Sequence, residues 1–99
     1  MSFILLYVTF PDEKSSEDLI LHLLNKKLIR CANTFPIKSQ YSWKGKIKNE
    51  EEVVSILKLK KDNWKKTEIE INKHHPYEIP CITKLDVEAN KEYEKWIQN

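Results

Sequence analysis

"CANTFPIKSQYSWKGKIKNEEEVVSILKLK", Cys31–Lys60, decides the fold, because a single glycine separates two runs with the period of extended chain. Before it, Phe35, Ile37, Tyr41 and Trp43 fall on one face, and Thr34, Lys38, Gln40 and Ser42 on the other. That alternation predicts a long strand from Ala32 onward. Gly45, the only glycine of the chain, accepts positive φ freely and marks the reversal. A second strand over 46–60 follows. Val53, Leu57 and Leu59 share one of its faces and Val54 and Ile56 the other, so its second half needs cover on both sides. Arms of about a dozen residues are roughly twice the usual strand length, and such a hairpin is expected to project from its domain and pack on another subunit. Pro36 cannot donate to a ladder, which puts the first arm at a sheet edge or a bulge.

Working outward, "SFILLYVTF" over 2–10 reads as a buried strand, ended by "PDE" at 11–13. Leu19, Ile20, Leu23, Leu24 and Leu28 then recur at three and four residues, which predicts an amphipathic helix over 13–27 with Asp12 or Ser15 as its N-cap. The segment 62–73 is double-valued: "TEIEI" alternates like a strand, while Trp64, Glu68 and Ile71 fit one helical stripe. Helix is the assignment, because the hairpin must be followed by a connection that crosses back to a further strand. "IPCITKLDV" over 79–87 supplies that strand, and Ala89, Tyr93, Trp96 and Ile97 space out as a short final helix. The order β, α, β, β, α, β plus a terminal helix predicts one α+β domain over 1–99, a ferredoxin-like βαββαβ sandwich. That fold hosts many activities and decides none.

Composition narrows the classes. Hydrophobic residues make up 40% and charged residues 32% of 99, as expected of a folded globular chain. A formal net charge of +2 is far from the basic excess that tracks phosphates along a duplex, and the basic cluster "KLKKDNWKK" at 58–66 reads as a solvated face. The strand motif of RNA-binding domains would require aromatics where "KGKIKNEE" has lysine and acids. No nucleic-acid partner is expected. One glycine cannot build a phosphate cradle, and no nucleophile elbow is present. The nine-residue apolar start is too short to span a membrane and lacks the flanks of a signal, so the expected location is a reducing cytoplasm with free thiols.

"HHPYEIPC", His74–Cys81, holds the donors of interest. Thiolate plus imidazole suits copper or zinc. Pro76 and Pro80 push their predecessors toward extended geometry, so adjacent His74 and His75 point opposite ways, and one of them is expected to cap the preceding helix or bond its last carbonyls. His74 and Cys81 are seven residues apart, so only the turn out of the helix could bring them together. The run Glu50–Glu52 alternates in direction and does not converge by itself, which points to solvated charge or pairing between subunits. Cys31, on a strand, reads as a packed, inert thiol.

The Cys-containing start with an S-x-Y-x-W-x-G-K hairpin, "EEEVVSILKLK" at 50–60 and "HHPYEIP" at 74–80 resemble the CutA divalent-cation tolerance family, from about Phe3 to Ile97. The resemblance implies a ferredoxin-like homotrimer linked to copper tolerance, with no enzymatic reaction and no required cofactor. Its proposed copper site maps onto Val8, His74 and Cys81, of which Val8 cannot ligate. Sulfur at Cys81 in place of a carboxylate favours copper(I) or zinc over harder ions. In such a fold the second and fourth strands are opposite edges about 14 Å apart, beyond the reach of a Cys31–Cys81 disulfide. Pairing of these edges between subunits would close a ring. Tyr41, Trp43 and Tyr77 also fall on the family pattern. They either pack the trimer seam or line intersubunit clefts for a small ligand, as in the similarly folded PII signalling trimers.

Overall fold

Alternation becomes strand and the three-to-four spacing becomes helix, in the expected order. The computed structural model describes residues 2–99. It runs β1 (Phe3–Phe10), α1 (Glu13–Asn25), β2 (Cys31–Trp43), β3 (Lys46–Leu59), α2 (Trp64–His74), β4 (Ile82–Val87) and α3 (Lys91–Gln98). The sheet order is β2-β3-β1-β4, and each neighbouring pair is antiparallel. This is the ferredoxin-like arrangement. Pro36 accordingly lies on an edge strand. Cys31 opens one edge and Cys81 directly precedes the other, and both thiols are free.

The strand period selects the core. Ile4, Leu6, Val8 and Phe10 of β1 and Val53, Leu57 and Leu59 of β3 pack under Leu19 and Leu23 of α1 and Ile71 of α2. Burying each such side chain contributes about 1.5–3 kcal/mol. Ser55 shares the covered face of β3 at 0% exposure, and its hydroxyl pairs with that of Thr34 at 2.7 Å. That bond offsets the desolvation of a polar group inside the core. Ile71 is likewise fully buried while Ile69 is 59% exposed, so "TEIEI" obeys the helical stripe.

Element ends differ from expectation where local chemistry intervenes. Asp12, not Ser15, caps α1: its carboxylate accepts from the Ser15 amide at 2.8 Å. This bond leads the causes that lower the Asp12 pKa. The helix stops at Asn25 rather than Lys27, because Lys27 adopts φ 59° and the Leu28 amide returns to the Leu23 carbonyl at 3.0 Å, a left-handed C-terminal closure. A 3-10 turn over Lys61–Asn63 precedes α2. The proline link delays β4 to Ile82, and α3 begins at Lys91 rather than Ala89.

The hairpin reverses through Lys44 and Gly45, at φ 50° and 77°, with Trp43 opposite Lys46. Two positive φ values make the two-residue turn that matches strand twist. Beyond Val53, where pairing with β1 ends, β2 and β3 continue alone as a two-stranded arm, and the molecule reaches 45 Å along its long axis. On the sheet face away from α1 and α2, Tyr93 of α3 covers one end, packing on Phe3 and meeting Lys58, and the remainder is partly exposed. Phe35 and Leu85 on it are 44% and 50% exposed.

Candidate functional site

Two groups of side chains stand out, one on each side of the sheet. On the helical side, Glu70 and His74 are one turn apart on α2, a spacing that stacks side chains on one face. His22 meets them from α1. The His22 Nε2 lies 2.8 Å from Glu70 Oε2, and His74 Nε2 lies 3.3 Å from the same oxygen. Lys26 Nζ takes the other carboxylate oxygen at 3.2 Å. The His22 hydrogen bond is the largest influence on Glu70 and, with Lys26, holds its pKa down to about 2 despite opposing desolvation. Glu70 is therefore a carboxylate throughout the neutral range. Among the described residues, this is the one group of three His, Cys, Asp or Glu donors close enough to hold a metal ion.

On the open side, the overhanging hairpin and the proline link flank a half-open cleft of about 420 Å³ lined by Tyr41, Trp43, Glu50, Glu52, Tyr77 and Cys81, among others. Residues two apart on a strand share a face, so Glu50 and Glu52 both turn inward. The Tyr41 hydroxyl donates to Glu50 at 2.8 Å, and the Tyr77 hydroxyl donates to Glu52. Donating to a carboxylate favours the protonated phenol, which raises the Tyr41 pKa, with burial second. At Tyr77 burial acts first and Glu52 second, and the phenol is pushed well above its ordinary value.

His75 joins the two sides. As the first residue past α2 it is extended, at φ −73° and ψ 138°, so its ring leaves the helix opposite to His74. It is only 8% exposed and stacks on Phe10 with ring centres 4.8 Å apart. Its Nε2–H donates to the Thr9 carbonyl at 2.7 Å, while Nδ1 accepts from the Tyr77 amide at 3.0 Å. A carbonyl cannot donate and an amide N–H cannot accept, so the ring is fixed as the neutral Nε2–H tautomer. Burial pushes its pKa down in the same direction, partly opposed by the Thr9 bond. The two histidines do diverge, but neither side chain caps α2; the helix end is bonded by the His75 backbone amide, which donates to the Ile71 carbonyl.

The proposed donors thus occupy different settings. His74 stands with His22 and Glu70, whereas Cys81 lines the open-side cleft, with its sulfur 3.4 Å from Thr83 Oγ1. Cys81 is not a member of the three-donor group. Val8 is at 0% exposure in the core. Cys31 is half-buried and free. Tyr41, Trp43 and Tyr77 are brought together. Sequence reasoning missed His22 and Glu70. The i,i+4 spacing of Glu70 and His74 was visible, but the pairing of α1 with α2 that delivers His22 was not.

Comparison with known proteins agrees with this architecture. The family model of the CutA1 divalent ion tolerance protein matches residues 4–99. A divalent-cation tolerance protein CutA of Thermotoga maritima is 42% identical over 96 residues, covering 96% of this chain and 95% of the relative. The crystal structure of CutA1 from Pyrococcus horikoshii superposes with a TM-score of 0.92 at 40% identity, over 95% of this chain and 93% of that one. A PII-like protein CutA from a Nostoc species superposes at 0.89 with 26% identity, over 96% and 93%.

Proposed function

We propose, for a chain that belongs to the CutA1 divalent ion tolerance family, that it serves divalent-cation tolerance as a non-catalytic homotrimer that binds a transition-metal ion, copper or zinc. The observation that carries this reading is the unpartnered hairpin. A two-stranded arm is marginal alone in water, and this one presents Tyr41 and Trp43 at 39% and 37% exposure, with Phe35 nearer its base. A sheet with two free edges and a partly exposed apolar face is completed most simply by copies of itself in a closed ring. His74 and Cys81 supply imidazole and thiolate donors suited to copper or zinc. If both bind, they do so at separate places.

Native mass spectrometry and sedimentation at micromolar concentration test the assembly; a trimer is expected, and a monomeric mass overturns it. Titration of the wild-type protein with copper(I), copper(II) and zinc tests the metal reading, which requires saturable binding. A second reading is favoured by the open-side cleft. Its aromatic walls and paired carboxylates form a place for a small ligand between subunits, as in a signalling trimer. A bound metabolite released on denaturing the purified protein would support that reading.

A further inference from the structure

The donors on the helical side meet because of helix register. Glu70 and His74 rise one turn apart on α2, and α1 presents His22 across the helix pair. The three donor atoms all lie within 4.8 Å of one another, and the two imidazole rings are 4.4 Å apart at 54°. Resting on the reading that this chain binds a transition-metal ion, we propose that His22, Glu70 and His74 are the ligands of that ion. They form a two-imidazole, one-carboxylate site for copper(II) or zinc(II) that bridges α1 and α2, with solvent completing the coordination.

Distances favour such an ion. Bonds of about 2.0–2.2 Å hold neighbouring donors about 2.8–3.6 Å apart at angles between octahedral and tetrahedral. The two separations through Glu70 Oε2 are 2.8 and 3.3 Å. The His22 to His74 edge must close to a similar value. Both side chains retain freedom for this, at 33% and 48% exposure, while Glu70 at 13% is the fixed member. Lys26 occupies Oε1, which orients the carboxylate and leaves Oε2 as a single donor. The ion takes the place of the His22 hydrogen bond and the His74 contact now made to Oε2.

Ligand chemistry then sets the metal. Two nitrogens and one oxygen, without sulfur, select copper(II) and zinc(II) over copper(I), and copper(II) binds more tightly than zinc(II) by the usual order of divalent ions. Magnesium and calcium, which demand oxygen donors, are rejected. This differs from a site built on Cys81, whose thiolate would select copper(I).

The test is titration of the assembled protein with copper(II) and with zinc(II), by competition against a chromophoric chelator. Wild type is compared with His22→Gln, Glu70→Gln, His74→Ala and Cys81→Ser, each shown to fold by circular dichroism. Electron paramagnetic resonance of the copper(II) form gives a readout on wild type itself. We expect one ion per subunit, two coupled imidazole nitrogens, and a loss of more than about tenfold in affinity in each of the three ligand variants. Cys81→Ser should bind as wild type. Binding undiminished in His22→Gln and Glu70→Gln, or lost in Cys81→Ser, overturns the site while the metal reading stands. Absence of saturable binding by wild type removes both.

Discussion

Replacing His75 separates hydrogen bonding from packing at the joint between the two faces. In His75→Phe the ring can still stack on Phe10, now 4.8 Å from it, but the Thr9 carbonyl and the Tyr77 amide lose their partner. Two orphaned groups at about 1–3 kcal/mol each, less the gain from a more apolar ring, predict a net loss of about 2 kcal/mol. His75→Ala removes the ring as well and should cost about 2 kcal/mol more, for lost aromatic contact and the cavity left behind. Urea unfolding at fixed subunit concentration and pH 7.5 reads both values, since an assembled protein's midpoint moves with concentration. The acid side adds a second signature. Burial holds the folded His75 pKa below its ordinary 6.5, so its stabilising effect is complete above that pH and is lost as pH falls through the lower folded value. His75→Phe should lack this component. If His75→Phe matches wild type at pH 7.5, the two bonds contribute nothing net and the tautomer argument has no energetic content.

Glu70 predicts a separate acid transition. Its folded pKa of about 2 lies below the reference 4.5, so its contribution is present above pH 4.5 and disappears as pH falls toward 2. Glu70→Gln should flatten the stability profile in that window and leave the His75 window unchanged, as followed by circular dichroism. At the hairpin tip, a side chain on Gly45 meets nothing within 4 Å, but the residue sits at φ 77°. Gly45→Ala should therefore cost about 1 kcal/mol in urea unfolding through backbone strain alone, and Gly45→Asn less. A larger loss for alanine would mean that the tip is packed against another subunit.

Much of the fold was legible because it rests on periodicity. The alternation of Phe35 to Trp43 and the spacing of Leu19 to Leu24 survive into a strand and a helix. Element ends were less legible, since they depend on single bonds: Asp12 rather than Ser15 caps α1, and Lys27 lies past the helix at positive φ. The candidate sites divide the same way. Tyr41 and Trp43 were found because strand register carries them together. Extended geometry also predicted the divergence of His74 and His75. His22 and Glu70 escaped because they are 48 residues apart, and no local pattern encodes which helix faces which. His75 drew attention as a metal donor or helix cap, whereas both its ring nitrogens are engaged across the β1 end and the proline link.

The geometry also separates assembly from metal capture. The three donors lie on the helical layer, and the apolar surface proposed to join subunits lies on the opposite sheet face. Leu85 pairs across from Leu5 on that open face and is 50% exposed. Leu85→Glu would require a charge to enter each seam, and an unpaired ion there costs several kcal/mol after relaxation. The tertiary fold should tolerate it, because the same position is half-solvated in the single chain. We therefore expect Leu85→Glu to lower the mass seen by sedimentation from trimer to monomer while copper(II) affinity stays within about twofold of wild type, a change under 0.5 kcal/mol. A dissociated variant that no longer binds copper(II) would show that a neighbouring subunit completes the site, and the two-helix argument would fail. A variant that remains trimeric would place the subunit seam elsewhere than the open sheet face.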